Sequence, residues 1–413
     1  MISNTNTIKY FRLKIAGVVF HALFLTLITI GLQYVSFVRA DELAFFKVFS
    51  VVKDLLTPKN VKPLAGHIIF LDVSKDLQLA DDSTNTGYDG KDGLAGAKIV
   101  ITDRSKLAKF FSIVNQHKGG YRFILCDVNF EIRAPNDSGL KASIERTQKL
   151  IVSANIQGSQ LIPPIFKVDY GGVTYQASSG YFAKLPIFYN DSLKSLPALM
   201  AERINGKRFS RSHGINLENG YPAFNTVIPE LYYRTNDLVS QTGSHGANFF
   251  YLGEVINNKD FFNKYLKDKV IIIGNFSTDL HKSFLGNMPG SLILLDAYLS
   301  LANNSLQIRW EWSLFLFALY LVISYFIFLK PEVKLEKLHG KIKVKMLSGL
   351  VKTYITYIGV LIIADLLSYF FFQILISLFY IASYLTILEL ALEKWGNYQK
   401  SPGLMKFLKE ELL

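Results

Sequence analysis

Apolar and polar positions alternate in two regimes along this chain. In its middle part, short aliphatic runs are closed off by a charge or a glycine: His67-Ile68-Ile69-Phe70-Leu71-Asp72, Arg122-Phe123-Ile124-Leu125-Cys126-Asp127, Leu150-Ile151-Val152-Ser153-Ala154 and Lys269-Val270-Ile271-Ile272-Ile273-Gly274. Runs of this kind suit strands covered on both faces of a parallel sheet. Between the first two, Thr102-Asp103-Arg104 opens a helix with Leu107, Phe110, Phe111 and Val114 on its apolar face, and Thr102 or Asp103 can cap it. This is a β-loop-α-β unit, which predicts parallel strands. Further helices are predicted over Ser138 to Leu150, Leu193 to Ile204 and Phe261 to Leu266. From Pro163 to Tyr251 the pattern breaks into short strands and turns, read as an elaborated edge of the sheet. Residues 81–96, rich in Asp, Gly and Asn, read as a polar loop.

The second regime consists of long apolar runs. Ile15 to Val38 follows Lys9, Arg12 and Lys14 and is long enough to cross a bilayer, which takes about 20 residues. An uncleaved anchor is the reading adopted; a cleavable signal peptide, with Val38-Arg39-Ala40 as its site, is the rival. Ala40 to Leu56 then reads as a helix leaving the membrane, ended by Pro58 and Pro63. Trp310 to Leu329 is a second span. Leu347 to Leu392 is too long for one span and divides near Ser368 to Gln373, giving four in all. A short amphipathic run, Ser291 to Leu301, is predicted to feed directly into the span at Trp310. The expected class is thus α/β: a mostly parallel sheet with flanking helices in an extracytoplasmic domain, plus an α-helical membrane bundle of four spans. The expected organisation is 1–39, amino terminus and first span; 40–308, outer domain; 309–393, three spans with a basic loop at 330–346; and 394–413, a short tail.

Charge placement sets the orientation. Residues 40–308 hold 29 basic and 25 acidic side chains, whereas the flanks hold 16 and 8. Lysines 330, 334, 337, 341, 343 and 345 sit in one loop, and Lys394, Lys400, Lys406 and Lys409 in the tail. Basic residues beside apolar runs mark the cytoplasmic side. Both termini and the lysine loop are therefore expected inside, and 40–308 outside, in the periplasm of a bacterial inner (cell) membrane. The lipid bilayer is the first expected partner. No basic cluster interleaved with aromatics occurs in the middle region, which argues against nucleic acid.

Candidate chemistry is sparse. The single cysteine, Cys126, lies in an apolar run and excludes an intrachain disulfide or a Cys-based metal site. Asp72, Asp127 and Asp279 fall at or just beyond strand ends, where ligands of open α/β sheets bind. Arg104 opens the first crossover helix, either to hold an anionic group bidentately or to make a structural ion pair with an Asp. Ser277, Thr278 and Asp279 complete the candidate ligand set. The three Asp spacings form no known calcium loop. Asp279-Leu280-His281 with Ser277 invites a hydrolase triad, but no Gly-x-Ser-x-Gly elbow precedes a helix. Nor does a phosphate-cradling glycine loop occur. His281 and His245 lie in polar turns. Asp365, in the third span near its outer end, reads as an interfacial or interhelical polar contact in preference to a proton or ion pathway, because no second intramembrane charge pairs with it. No catalytic residue, metal or cofactor is expected.

The order of pieces resembles the second type of CHASE domain, an extracellular sensory module associated with cyclases and histidine kinases. The matching segments are Ile68 to Asp72, Thr102-Asp103-Arg104 before a helix, Phe123 to Phe130, Lys267 to Gly274, and Met288-Pro289-Gly290 before the exit helix, with one leading and three trailing spans. Two features depart from the family pattern. Lys98 to Asp103 replaces a Trp-Pro-Trp-like approach to the arginine, and Leu294-Leu295-Asp296-Ala297 replaces an Ile-His-Ala-Asn-like segment. The resemblance implies a sensor, not an enzyme. Its outer domain would bind a ligand or partner and relay through Gly274, Pro289 and Gly290 into the spans. Members commonly continue into an output domain, whereas this chain runs about 20 residues past its last span, so a separate cytoplasmic or membrane effector is expected, and a homo-oligomer is left open. The competing expectation is a non-switching structural or assembly component of a cell-envelope complex.

Overall fold

The computed structural model describes residues 4–34, 45, 46, 48–53, 67–81, 98–117, 120–157, 160–173, 182, 184–239, 248–283, 286–329 and 347–399. The expected polar loop at 81–96 falls almost wholly outside these residues, as do His245, the lysine loop, the Val38-Arg39-Ala40 site and the end of the tail. The chain forms two compact units, Pro58–Gln307 on one hand and Met1–Thr57 with Ile308–Leu413 on the other.

The first unit is mixed α/β. Its strands are β1 Ile68–Asp72, β2 Leu77–Asp81, β3 Lys98–Thr102, β4 Phe123–Asp127, β5 Leu150–Gln157, β6 Gln160–Leu161, β7 Tyr170–Val173, β8 Leu185–Pro186, β9 Phe209–Ser212, β10 Ile215–Glu218, β11 Tyr221–Ala223, β12 Thr226–Val227, β13 Asn248–Tyr251, β14 Val270–Gly274, β15 Leu280–Ser283 and β16 Gly286–Pro289. With the helices named here numbered in chain order, α1 is Asn4–Leu32 and belongs to the other unit. This unit holds α2 Arg104–Gln116, α3 Asp137–Ile144, α4 Leu196–Asn205, α5 Thr235–Val239, α6 Leu252–Val255, α7 Lys259–Tyr265 and α8 Gly290–Asn303.

The main sheet runs β13-β1-β14-β4-β5-β6, with β7 also on β5, and every pairing but β5–β6 is parallel. The last strand of the sheet in sequence, β14, therefore lies between the first two crossover strands. Its five residues are all buried, as the uninterrupted aliphatic run requires of a central strand. Side chains alternate between two cores. Ile68, Phe70, Phe123, Leu125, Val270 and Ile272 face α4 and α8. Ile69, Leu71, Ile124, Cys126, Ile271 and Ile273 face α2, α3, α6 and α7. The elaborated segment reaches both sheet edges, supplying β7 at one and β13 at the other, and folds its remainder into the β9–β11 meander and the β8–β12 pair.

Helix starts follow local chemistry. Asp103 caps α2, accepting hydrogen bonds from the backbone of Ser105 and Lys106, and Asn258 caps α7 in the same way. One expectation is corrected. The run from Ser291 is not amphipathic: every residue from Ser291 to Leu301 is buried, because α8 is a core helix with the sheet on one side and loops on the other. Its polar residues find partners within the fold instead of facing water, Ser291 at the Asp127 carboxylate and Asp296 and Ser300 at backbone groups, as a fully buried helix must arrange. Residues 304–309 connect it to the helix that begins at Trp310.

Cys126 is fully buried, and desolvation, with Asp127 adding to it, pushes its thiol pKa well above the ordinary value. We expect it to react with a maleimide at pH 8 only at the rate of unfolding; modification within minutes of the native protein would contradict this burial.

In the other unit, α1 packs with α9 Trp310–Leu329, and α10 Leu347–Phe372 with α11 Leu378–Gln399. Among the described residues, three helices are long and apolar enough to cross a membrane: Lys14–Leu32, Trp310–Leu329 and Tyr354–Phe372. The apolar part of the fourth, Leu378–Leu392, is shorter. The first helix ends at Leu32, the stretch from residue 35 to Val38 lying outside the described residues, and the last two are separated at residues 373–377, where Gln373 adopts a φ of 59°. Polar side chains pair between helices. His21 Nδ1 and Ser324 Oγ lie 2.7 Å apart, as do Thr29 Oγ1 and Tyr320 Oη. Trp312 Nε1 donates to Ser368 Oγ at 2.9 Å, and Tyr357 Oη donates to Glu389 at 2.7 Å. Asp365 is fully buried and accepts the Ile376 N–H at the entry to α11. Glu389 is thus a second carboxylate among these helices, bonded to Tyr357.

Candidate functional site

Register places the candidate residues at one edge. Gly274 ends β14 and is paired with Asp72 of β1 on one side and Asp127 of β4 on the other. Both carboxylates continue the set of positions that faces α8, two residues beyond Phe70 and Leu125. Asp72 is fully buried. Its Oδ1 accepts from the Ser74 N–H at 2.9 Å and the Phe276 N–H at 3.2 Å, and its Oδ2 accepts from Ser277 Oγ at 3.0 Å. A carboxylate so engaged fixes the turn after β14. Replacing Asp72 with Ala is expected to cost about 2–3 kcal/mol, because the buried Phe276 N–H loses its acceptor. Amide exchange of Phe276 and Ser277 checks this, since protection equal to wild type would mean the turn stands without Asp72.

The rest of that turn is built by a residue the sequence reading passed over. Asn275 Oδ1 accepts from the Ser277 and Thr278 N–H groups, and its Nδ2 donates to Thr278 Oγ1. Asn side chains form such turns readily, so an Asn directly after a strand-ending Gly was the available signal. Asp279 pairs with His281 Nε2 at 3.0 Å, while its carbonyl accepts the Gly290 N–H at 3.1 Å. Ser277 thus bonds to Asp72, while His281 lies beside Asp279. The segment after the turn is a hairpin, β15 with β16, in which Leu280 is opposite Pro289. That hairpin returns the chain to the sheet edge and starts α8 there, with Pro289 at the cap position.

The closest approach lies at the start of α8. Ser291 Oγ donates to Asp127 Oδ2 at 2.8 Å, which also sets a carboxylate at the helix amino terminus, where negative charge is favoured. This contact exists only because residue 274 has no side chain. A Cβ there would stand 1.9 Å from Ser291 Oγ and 2.9 Å from Ser291 Cβ. Gly274, Asp127 and Ser291 therefore bind the central strand, its neighbour and α8 at one point.

Arg104 is not part of this cluster. It lies on the other face of the sheet, near Cys126, with its guanidinium 4.6 Å from the Phe130 ring centre. It donates to the Asn129 carbonyl at 2.8 Å and meets Asp137 at 3.6 Å. Burial lowers its pKa, with Asp137 and then Cys126 opposing. The structure thus brings Asp72 to Ser277 and Asp127 to Ser291, but holds Arg104 apart from all of them, in an ion pair with Asp137.

A second cluster was not legible in the sequence. Glu218 ends β10, is 1 % exposed, and accepts from Lys207 Nζ at 2.8 Å, Ser305 Oγ at 2.9 Å and the Leu306 N–H at 2.6 Å. Lys207 Nζ also donates to the Asn304 carbonyl at 2.5 Å. The Phe224 N–H donates to the Leu306 carbonyl, and Gln307 bridges to Ala223. The segment following α8 is thereby held along the β9–β11 meander. Glu218 and Lys207 are distant in sequence from the segment they grip, and neither stands in a recognisable motif.

Compared with known proteins, the chain matches no family model, no curated protein and no solved structure, so its resemblance to the second type of CHASE domain rests on the quoted segments and their order alone.

Proposed function

We propose that this chain is a membrane-bound sensor or signal-coupling protein whose α/β unit relays an outside stimulus through its spans to a separate effector. In this reading residues 40–308 face the periplasm of a bacterial inner membrane. Four helices span the bilayer, Leu378–Leu392 being the fourth, and both termini are cytoplasmic. The concentration of excess basic charge in the flanks supports that orientation.

One observation carries the reading. A central strand of the α/β unit, β14, is joined through one turn, one hairpin and the Asp127–Ser291 contact to α8, and the chain then runs through the Glu218-held segment into α9. Any ligand that binds two arrangements of this edge unequally would shift the position of that segment, and only to the extent of its differential affinity.

Deletion of residues 58–307, replaced by a flexible linker, tests the idea. The effector is first captured by purification of the full chain in mild detergent. The expected result is that its activity responds to the outside stimulus with the full chain and loses that response with the deletion. An effector that answers equally in both, or a bound envelope component whose activity never varies, would sink the sensing reading. Topology is checked separately: alkaline phosphatase fused after residue 150 should be active and after residue 340 inactive.

A further inference from the structure

A cleft of about 630 Å³ opens at the other edge of the sheet, at the amino ends of β4, β5 and β7. Its walls carry Arg122, Lys149, Lys167 and Arg203, against the carboxylates of Glu145 and Asp169. The volume is in the range of small-molecule sites, about 300–1,000 Å³.

The charges do not cancel. Asp169 is taken up by Arg203, whose Nη2 lies 2.8 Å from its Oδ2. Glu145 Oε1 is occupied by the backbone N–H of Lys167 at 2.8 Å. Among the described residues, Arg122, Lys149 and Lys167 form no ion pair with a carboxylate, and Lys149 Nζ has only the Tyr121 carbonyl, at 3.5 Å. Helix carboxyl ends attract cations, and Arg203 sits in the last turn of α4, so its charge has a structural explanation. That explanation does not extend to the other three. Arg122, Lys149 and Lys167 sit in the segments that lead into three neighbouring strands, and parallel pairing is what converges them. Lys149 does so with a φ of 51°, a conformation that Asn or Gly would adopt at less cost.

We propose that this cleft binds a small phosphate-bearing anion, with Arg122 as a two-pronged donor and Lys149 and Lys167 as point charges. The chemistry fits planar guanidinium recognition of phosphate oxygens supplemented by ammonium groups. A soluble phosphate ester and a lipid phosphate headgroup share it. The site lies away from Asp72, Asp127 and Ser291, and it does not depend on the sensing role: an assembly component could carry it equally.

Hydrogen exchange of the full-length protein tests the proposal, read on peptides covering residues 145–151 and 165–170. Inorganic pyrophosphate is added at low ionic strength in neutral detergent, and separately the protein is placed in nanodiscs with and without phosphatidic acid. Pyrophosphate at about ten times its Kd should slow local opening roughly tenfold, and salt should reverse the effect. Protection by pyrophosphate identifies a soluble ligand, and protection only in phosphatidic-acid nanodiscs identifies a headgroup. Arg122→Met and Lys167→Met should each abolish it, while Lys282→Met, outside the cleft, should not. Lys167 is exposed, so its variant remains informative even where Arg122→Met fails to fold. Protection in neither setting, or protection indifferent to both variants, overturns the proposal.

Discussion

Glu218→Ala should lower the unfolding free energy of the α/β unit by about 3–5 kcal/mol, the cost of removing one partner of a buried ion pair. The carboxylate is almost fully covered, and its Lys207 partner is only 15 % exposed. Removing it strands an ammonium, the Ser305 hydroxyl and the Leu306 N–H together. In a unit of this size such a loss corresponds to a melting shift of roughly 6–20 °C. The amides of residues 305–307 should also exchange faster than the rest of the meander. Glu218→Gln keeps one acceptor oxygen and should lie between the two. A Glu218→Ala protein that melts with wild type would show that the segment after α8 is held by other means.

Gly274→Ala should be nearly as damaging, for a different reason. Gly274 does not have the positive φ that would demand glycine, so the constraint is space. The added methyl would have to displace Ser291, and with it the bond to Asp127. Overpacking of this kind costs about 1–3 kcal/mol, and loss of a hydrogen bond to a carboxylate about 1.5–3 kcal/mol more. Because the clash is with the Ser291 side chain, Ser291→Gly should relieve the steric part, so Gly274→Ala/Ser291→Gly should be more stable than Gly274→Ala alone. Chemical denaturation of the four proteins in the cycle measures this, and simple additivity would mean that the two positions do not meet.

These two sites differ in how far the sequence announced them. The strands β1, β4 and β14 were legible because each is an aliphatic run closed by a charge or a glycine, and β5 because it opens on Leu150-Ile151-Val152; a sheet covered on both faces has use for such runs. The caps at Asp103 and the apolar face of α2 were legible because their signals are local. Gly274 stood out as the end of a strand, but the reason for glycine, the approach of Ser291, is a tertiary fact. The nature of α8 was misread because Ser291, Asp296 and Ser300 look like a polar face. In the structure Asp296 accepts the Tyr233 N–H, and Ser300 accepts the Glu230 N–H, from loops that no periodicity could place. Arg104 was grouped with Asp72 and Asp127 by their common nearness to strand ends, a rule that is blind to which face of the sheet a helix covers. Its actual partner, Asp137, begins the next helix. Glu218 carried no signal at all, since a lone carboxylate in a Glu-Asn-Gly turn reads as solvated.

The most direct test of coupling places spin labels at Leu27→Cys on α1 and Val322→Cys on α9, both well exposed positions, in the full-length protein in nanodiscs. The native Cys126 is buried and stays unlabelled. The distance distribution between the labels is then compared with that of the same pair carrying Glu218→Gln. If the segment gripped by Glu218 transmits the state of the α/β unit to the spans, the variant shifts or broadens the distribution. Superimposable distributions, with residues 305–307 shown by exchange to have been released, would contradict the account.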